Sequence, residues 1–106
     1  MFIAMNRFKV RSGHEADFER IWAERDTYLH EVPGFVRFAL LKGDADGDYV
    51  SHSTWDDRAA FIAWTESDAF RKGHAQGSMA GILSGPPAVS LYEAVLTQEP
   101  GGSLTR

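Results

Sequence analysis

Trp64 and His74 stand ten residues apart on one stretch, Trp64-Thr65-Glu66-Ser67-Asp68-Ala69-Phe70-Arg71-Lys72-Gly73-His74, and Asn6 interrupts the apolar row of an N-terminal strand. Indole, imidazole and amide together suit a flat ligand that carries a metal. The indole supplies an aromatic face, the imidazole a ligating lone pair and the amide a hydrogen bond. Phe70 precedes His74 by four residues, so this helical face presents an aromatic ring followed by an imidazole.

Two of the three residues also have a plain structural explanation. A His at a helix end, beside Arg71 and Lys72, can simply favour the negative end of the helix dipole. A Trp on the apolar face of a short helix can serve as core. Asn6 resists such an account, because an amide between Ala4 and Phe8 on an apolar strand row needs a hydrogen-bonding partner, from backbone or from a ligand.

On one unbroken helix Trp64 and His74 would be about 15 Å apart and roughly 80° out of phase. A break at residues 65–67, with Ser67 or Asp68 capping a second piece, lets the two segments fold around a common pocket. The elements that must hold this bracket follow from the hydrophobic periodicity. Residues 2–10 alternate as a strand, with Phe2, Ala4, Asn6, Phe8 and Val10 on one face. Ser12 and Glu15 read as a capping box, and Phe18, Ile21, Trp22, Arg25, Tyr28 and Leu29 mark one amphipathic helix over residues 13–31. Trp22 and Arg25, adjacent at i, i+3, would supply the opposite wall of the pocket, although Arg25 could equally be a solvated or paired charge.

Pro33-Gly34 breaks the chain before a strand at 35–42, apolar on both faces, and a Gly/Asp turn leads to a returning strand ending at Trp55. Asp56 or Asp57 caps the first helical piece, which carries Ala60, Phe61 and Trp64. Residues 76–87, rich in Gly, Ser and Pro, read as a long loop and candidate lid, 88–97 as the last strand, and 98–106 as a flexible tail after a single domain over 1–97. The order β-α-β-β-α-β, with the second helical region split, predicts an α+β ferredoxin-like fold with helices on one face of an antiparallel sheet. Apolar residues on the other face then predict a homodimer packed sheet to sheet.

Composition bounds the chemistry. A chain of 106 residues holds one core and one site. Eleven basic against 15 acidic residues, without a basic run, argue against nucleic acid as a partner. The absence of Cys excludes disulfides, thiolate metal sites and a cysteine nucleophile. No apolar stretch approaches the ~20 residues of a membrane span, and no signal-peptide layout precedes the first strand, so a cytoplasmic protein without membrane partners is expected. His14-Glu15 lacks the second His of a zinc-protease motif, the loop beginning at Asp44 places Trp55 where a calcium loop needs Glu, and Gly81-Ile82-Leu83-Ser84-Gly85 misses the nucleophile elbow by one position.

The segments Met5-Asn6-Arg7-Phe8, Pro33-Gly34-Phe35, Thr54-Trp55 and Ala60-Phe61-Ile62-Ala63-Trp64, continuing through Ser67-Asp68-Ala69-Phe70 to His74, resemble the IsdG-type haem-degrading monooxygenases of the antibiotic biosynthesis monooxygenase superfamily. The resemblance implies a dimeric α/β barrel in which each subunit holds one haem as both substrate and cofactor. It implies that His74 is the axial iron ligand, that Asn6 supplies a hydrogen bond on the distal side, and that Trp64 presses the porphyrin out of plane. Trp22, Arg25 and Phe70 would complete the pocket. The implied reaction consumes dioxygen and electrons from a separate reductase or small reductant, and yields a biliverdin-like tetrapyrrole and free iron. Two further hypotheses share the same residues: a cofactor-free oxygenase of an aromatic or quinol substrate, and a non-catalytic module that binds haem or another small ligand.

Overall fold

Alternation sorts the first strand onto two faces, and the rest of the fold is built around the inward one. The computed structural model describes residues 1–76 and 79–106. Its elements are β1 (Phe2–Lys9), α1 (Glu15–Glu24), a 3-10 turn (Leu29–Glu31), β2 (Phe35–Lys42), β3 (Asp48–Trp55), α2 (Arg58–Thr65), α3 (Asp68–His74) and β4 (Ala88–Glu93). The four strands form one antiparallel sheet in the order β2-β3-β1-β4. The α+β ferredoxin-like fold expected from the sequence is therefore the one observed.

Phe2, Ala4 and Phe8 on the inward row of β1, and Val10 just beyond it, are all buried, and Asn6 divides that row into two clusters. On one side Phe2 and Ala4 pack with Leu29, Trp55 and Phe61. On the other, Phe8 and Val10 pack with Phe18 of α1 and Tyr49 of β3. Burying such a side chain contributes about 1.5–3 kcal/mol each, so two anchored clusters leave the middle of the sheet, over Asn6, free for something other than packing.

Glycine is required at Gly34, where φ is +81° and an added Cβ would sit 2.4 Å from the Ala60 Cβ. This close approach seats α2 on the turn before β2. Asp57 caps α2 by accepting from the Ala60 N–H at 2.8 Å. Ser67 then makes the break anticipated at 65–67. Its hydroxyl donates to the Trp64 carbonyl at 2.6 Å and accepts from the Phe70 N–H at 3.2 Å, closing one helix and opening the next.

Several boundaries differ from the sequence-based expectation. The helix expected over 13–31 ends at Glu24, because Arg25 is extended (ψ 137°), Asp26 Oδ1 accepts from the Tyr28 N–H at 2.9 Å in a tight local turn, and Tyr28 takes a left-handed φ of 58°. The capping box does not form. His14 occupies the N-cap, and the Glu15 carboxylate instead accepts from the Gly13 N–H. β4 stops at Glu93, and beyond it Thr97 and Thr105 form a short bridge.

Of the long loop expected at 76–87, Gly77 and Ser78 lie outside the described residues. Its later part is tied to the end of β1 by Arg11 N–H to Ile82 O and Ser84 N–H to Lys9 O, both 2.8 Å, with Ile82 and Leu83 against the Phe8 cluster. α1 and α2 pack on the inward face through Phe18 and Phe61. The outward face, which carries Ile3, Met5, Ala39, Leu41, Val50, His52 and Tyr92, has no helix over it among the described residues, and every residue of β4 is exposed. No helix among the described residues is long and apolar enough to cross a membrane.

Candidate functional site

A cavity of about 350 Å³ opens over Asn6, between the two core clusters. All six residues singled out from the sequence line it: Asn6 from β1, Trp22 from α1, Arg25 just beyond α1, Trp64 from α2, and Phe70 and His74 from α3. The walls are largely apolar and aromatic, with a few convergent polar groups, the usual constitution of a small-molecule site.

Aromatic contacts run continuously along one side. Trp64 lies on Trp55 with ring centroids 5.1 Å apart, meets Phe70 edge to face at 4.8 Å and lies 6.0 Å from His74. Phe70 and His74 are stacked at 4.0 Å. Across the cavity Trp22 stacks on Phe38 at 5.6 Å, and the Arg25 guanidinium lies 4.9 Å over the Trp22 ring.

His74 Nδ1 lies 2.8 Å from the Phe70 carbonyl oxygen. A carbonyl can only accept, so in the neutral ring the proton is on Nδ1 and the Nε2 lone pair is available to a Lewis acid. Sequence spacing alone gave the i−4 pair; the backbone bond adds the tautomer. No group of three or more His, Asp or Glu gathers among the described residues, so a bare metal ion has no chelating set here. The single imidazole suits a metal already held by a macrocycle.

Among the described residues, four polar side-chain atoms are buried without a hydrogen-bond partner: Asn6 Oδ1, Trp22 Nε1, Arg25 Nε and Trp64 Nε1. All four belong to residues lining this cavity. Each such group costs about 1–3 kcal/mol unless a bound molecule or water meets it, and all four line the same cavity. Burial pulls the Arg25 guanidinium below its ordinary value, and among the described residues no carboxylate pairs with it. The alternative of Arg25 as a paired surface charge does not apply. Its Nη2 donates instead to the Gln76 carbonyl at 3.1 Å.

The cavity also has lining residues that sequence patterns did not single out as part of a site, among them Leu29, Phe38, Ser51 and Ser53. Ser51 and Ser53 were recoverable in principle. They share the inward row of β3 with Tyr49 and Trp55, where two small hydroxyls between large rings signal missing volume. Ser53 Oγ accepts from Trp55 Nε1 at 2.9 Å, which satisfies the one tryptophan of the three that faces core alone.

Residues 1–76 match the family described as antibiotic biosynthesis monooxygenase. A deoxynogalonate monooxygenase from Streptomyces nogalater is 36% identical over 98 residues, covering 92% of this chain and 70% of that protein. A haem oxygenase (mycobilin-producing) from Mycobacterium tuberculosis is 30% identical over 106 residues, covering 95% of this chain and 93% of the relative. The solved structure of SnoaB, a cofactor-independent oxygenase from Streptomyces nogalater, has a TM-score of 0.68 at 29% identity and covers 91% of this chain and 94% of that one.

Proposed function

The chain belongs to the antibiotic biosynthesis monooxygenase family, and from that premise we propose that it degrades haem, opening the porphyrin ring with dioxygen and externally supplied electrons to a biliverdin-like tetrapyrrole and free iron. The observation that carries this reading is the His74 imidazole, whose Nε2 lone pair is left free by the bond from Nδ1–H to Phe70 O, on the wall of a cavity that also holds orphaned polar atoms.

The residues present fit haem as the ligand. The Nε2 of His74 matches the iron, the Trp64 and Phe70 rings match the macrocycle face, and the unpaired Arg25 guanidinium matches a propionate. When bound, the haem supplies the iron at which dioxygen is reduced. The chain's own contribution is to hold and orient it. His74 would hold the iron through a tautomer set by backbone, Asn6 would offer its amide on the sheet side of the cavity, and Trp64, backed by Trp55, would supply a rigid ring against the macrocycle. The outward sheet face, with Leu41 45% and Tyr92 52% exposed, supports the accompanying proposal of a homodimer packed sheet to sheet; the proposal further places the protein in the cytoplasm, served by a separate reductase or small reductant.

The test is turnover. Haemin-loaded protein given ascorbate under air should lose its Soret band and release iron to a ferrous chelator. Haem that binds and stays intact under those conditions refutes degradation. A second reading, cofactor-free oxidation of an aromatic or quinol substrate, is favoured by the 36% identity to the deoxynogalonate monooxygenase and by the three orphaned N–H donors, which would equally meet carbonyl or phenolic oxygens. It requires oxygen uptake with such a substrate in the absence of haemin.

A further inference from the structure

The segment between α1 and the 3-10 turn leaves its backbone groups outside any helix or strand, to be met by side chains or by solvent. For Asp26 both come from one side chain fifty residues away. The Asp26 N–H donates to Gln76 Oε1 at 3.1 Å, and Gln76 Nε2 donates back to the Asp26 carbonyl at 2.5 Å. The amide thus adds a rung like that of a paired strand. Gln76 Nε2 also lies 3.3 Å from the Lys72 carbonyl, and the Gln76 carbonyl receives Arg25 Nη2 at 3.1 Å. Gly73 allows the close docking this requires, since an added Cβ would come within 3.2 Å of the Thr27 carbonyl oxygen.

We infer that Gln76 is a positioning residue: its side-chain amide locks the end of α3, with His74, against the segment that carries Arg25. Only this side chain fits the task. Glutamate at the same position accepts from the Asp26 N–H but cannot donate to its carbonyl, asparagine is one methylene short, and alanine leaves both backbone groups to solvent. The inference names what holds the geometry of the proposed haem site, and so its functional consequence rests on that reading. The clamp itself does not.

Two arms separate them. In ligand-free protein, amide hydrogen exchange is measured at Asp26, together with nuclear Overhauser contacts between Gly73 and Thr27. Gln76→Ala should speed Asp26 exchange roughly tenfold or more and weaken those contacts, while amides of β1 and β3 keep their protection. Unchanged exchange at Asp26 overturns the clamp, whether or not haemin binds. In the second arm, haemin is titrated into wild type, Gln76→Ala and the isosteric Gln76→Glu. Losing a group that orients a ligating residue typically weakens metal binding 10–100-fold, so both variants should show a raised Kd and a shifted Soret maximum while still unfolding in one cooperative transition. Faster Asp26 exchange with wild-type Kd and spectrum overturns the positioning role and leaves only a structural bond. A wild-type protein that fails to bind haemin refutes the proposed function, and the clamp then stands or falls on the ligand-free arm.

Discussion

Replacing Asn6 with leucine should stabilise the ligand-free protein and damage its activity. Asn6 lies on the inward row of β1, opposite Ser51 and Val89, and its Oδ1 is buried with no partner. An unmatched amide oxygen of this kind costs about 1–3 kcal/mol. Leucine has nearly the same shape, its extra bulk enters an open cavity of about 350 Å³ rather than a packed core, and it is better suited to a strand. With about 4 °C per kcal/mol for a domain of this size, the melting temperature of the apo-protein should rise by about 4–12 °C. Circular dichroism melts and urea unfolding measure the gain. The same substitution should leave haemin binding in place, since His74 is untouched, but slow Soret loss under ascorbate and air by roughly 10²-fold, the usual effect of deleting one preorganised polar group. A leucine variant less stable than wild type by 1 kcal/mol or more refutes the reasoning, because it means the amide is satisfied and structural. Unchanged turnover removes Asn6 from the mechanism.

Trp64→Phe keeps a ring between Trp55 and Phe70 but deletes the orphaned indole N–H, so urea unfolding should shift by less than about 1.5 kcal/mol while haem loss slows. Gly34→Ala should destabilise by about 2–4 kcal/mol in the same assay, combining left-handed strain at φ +81° with the clash on Ala60. Tyr49 donates to Glu19 at 2.5 Å, and burial, reinforced by that carboxylate, pushes its phenol up to about 12. The unfolded phenol ionises near 10, so this contribution to stability is complete below about pH 10 and is lost as pH rises toward 12; melting curves from pH 8 to 11.5 should show the decline, and Tyr49→Phe should flatten it. Light scattering at micromolar concentration should give twice the 11.8 kDa chain mass, and the monomer mass would refute the homodimer.

The strands and the helical bracket were legible because local chemistry agrees with the fold. Pro33-Gly34 set the start of β2, period-two alternation set the inward row of β1, and Ser67 marked the break between α2 and α3. The single long helix over 13–31 was misleading for a physical reason. Leu29 keeps helical spacing from Trp22 and Arg25 and is buried as such spacing demands, but the left-handed Tyr28 and the Asp26 turn interrupt the backbone beneath it. The site residues could be chosen by type, since an amide on an apolar row and an imidazole one turn after a phenylalanine are visible in sequence. What no pattern shows is a side chain serving distant backbone, so Gln76 was invisible, as were the tautomer of His74 and the four orphaned atoms that face the cavity.

The central claim is that His74 presents a free Nε2 to the iron of a haem seated in this cavity, and a haemin titration followed in the visible range tests it most directly. Wild type should develop a Soret band that saturates at one haem per chain, and His74→Ala, which loses one exposed ring and should cost the fold only about 1 kcal/mol, should weaken binding and move the band. A wild-type spectrum identical to that of free haemin, or a His74→Ala titration superimposable on wild type, contradicts the account.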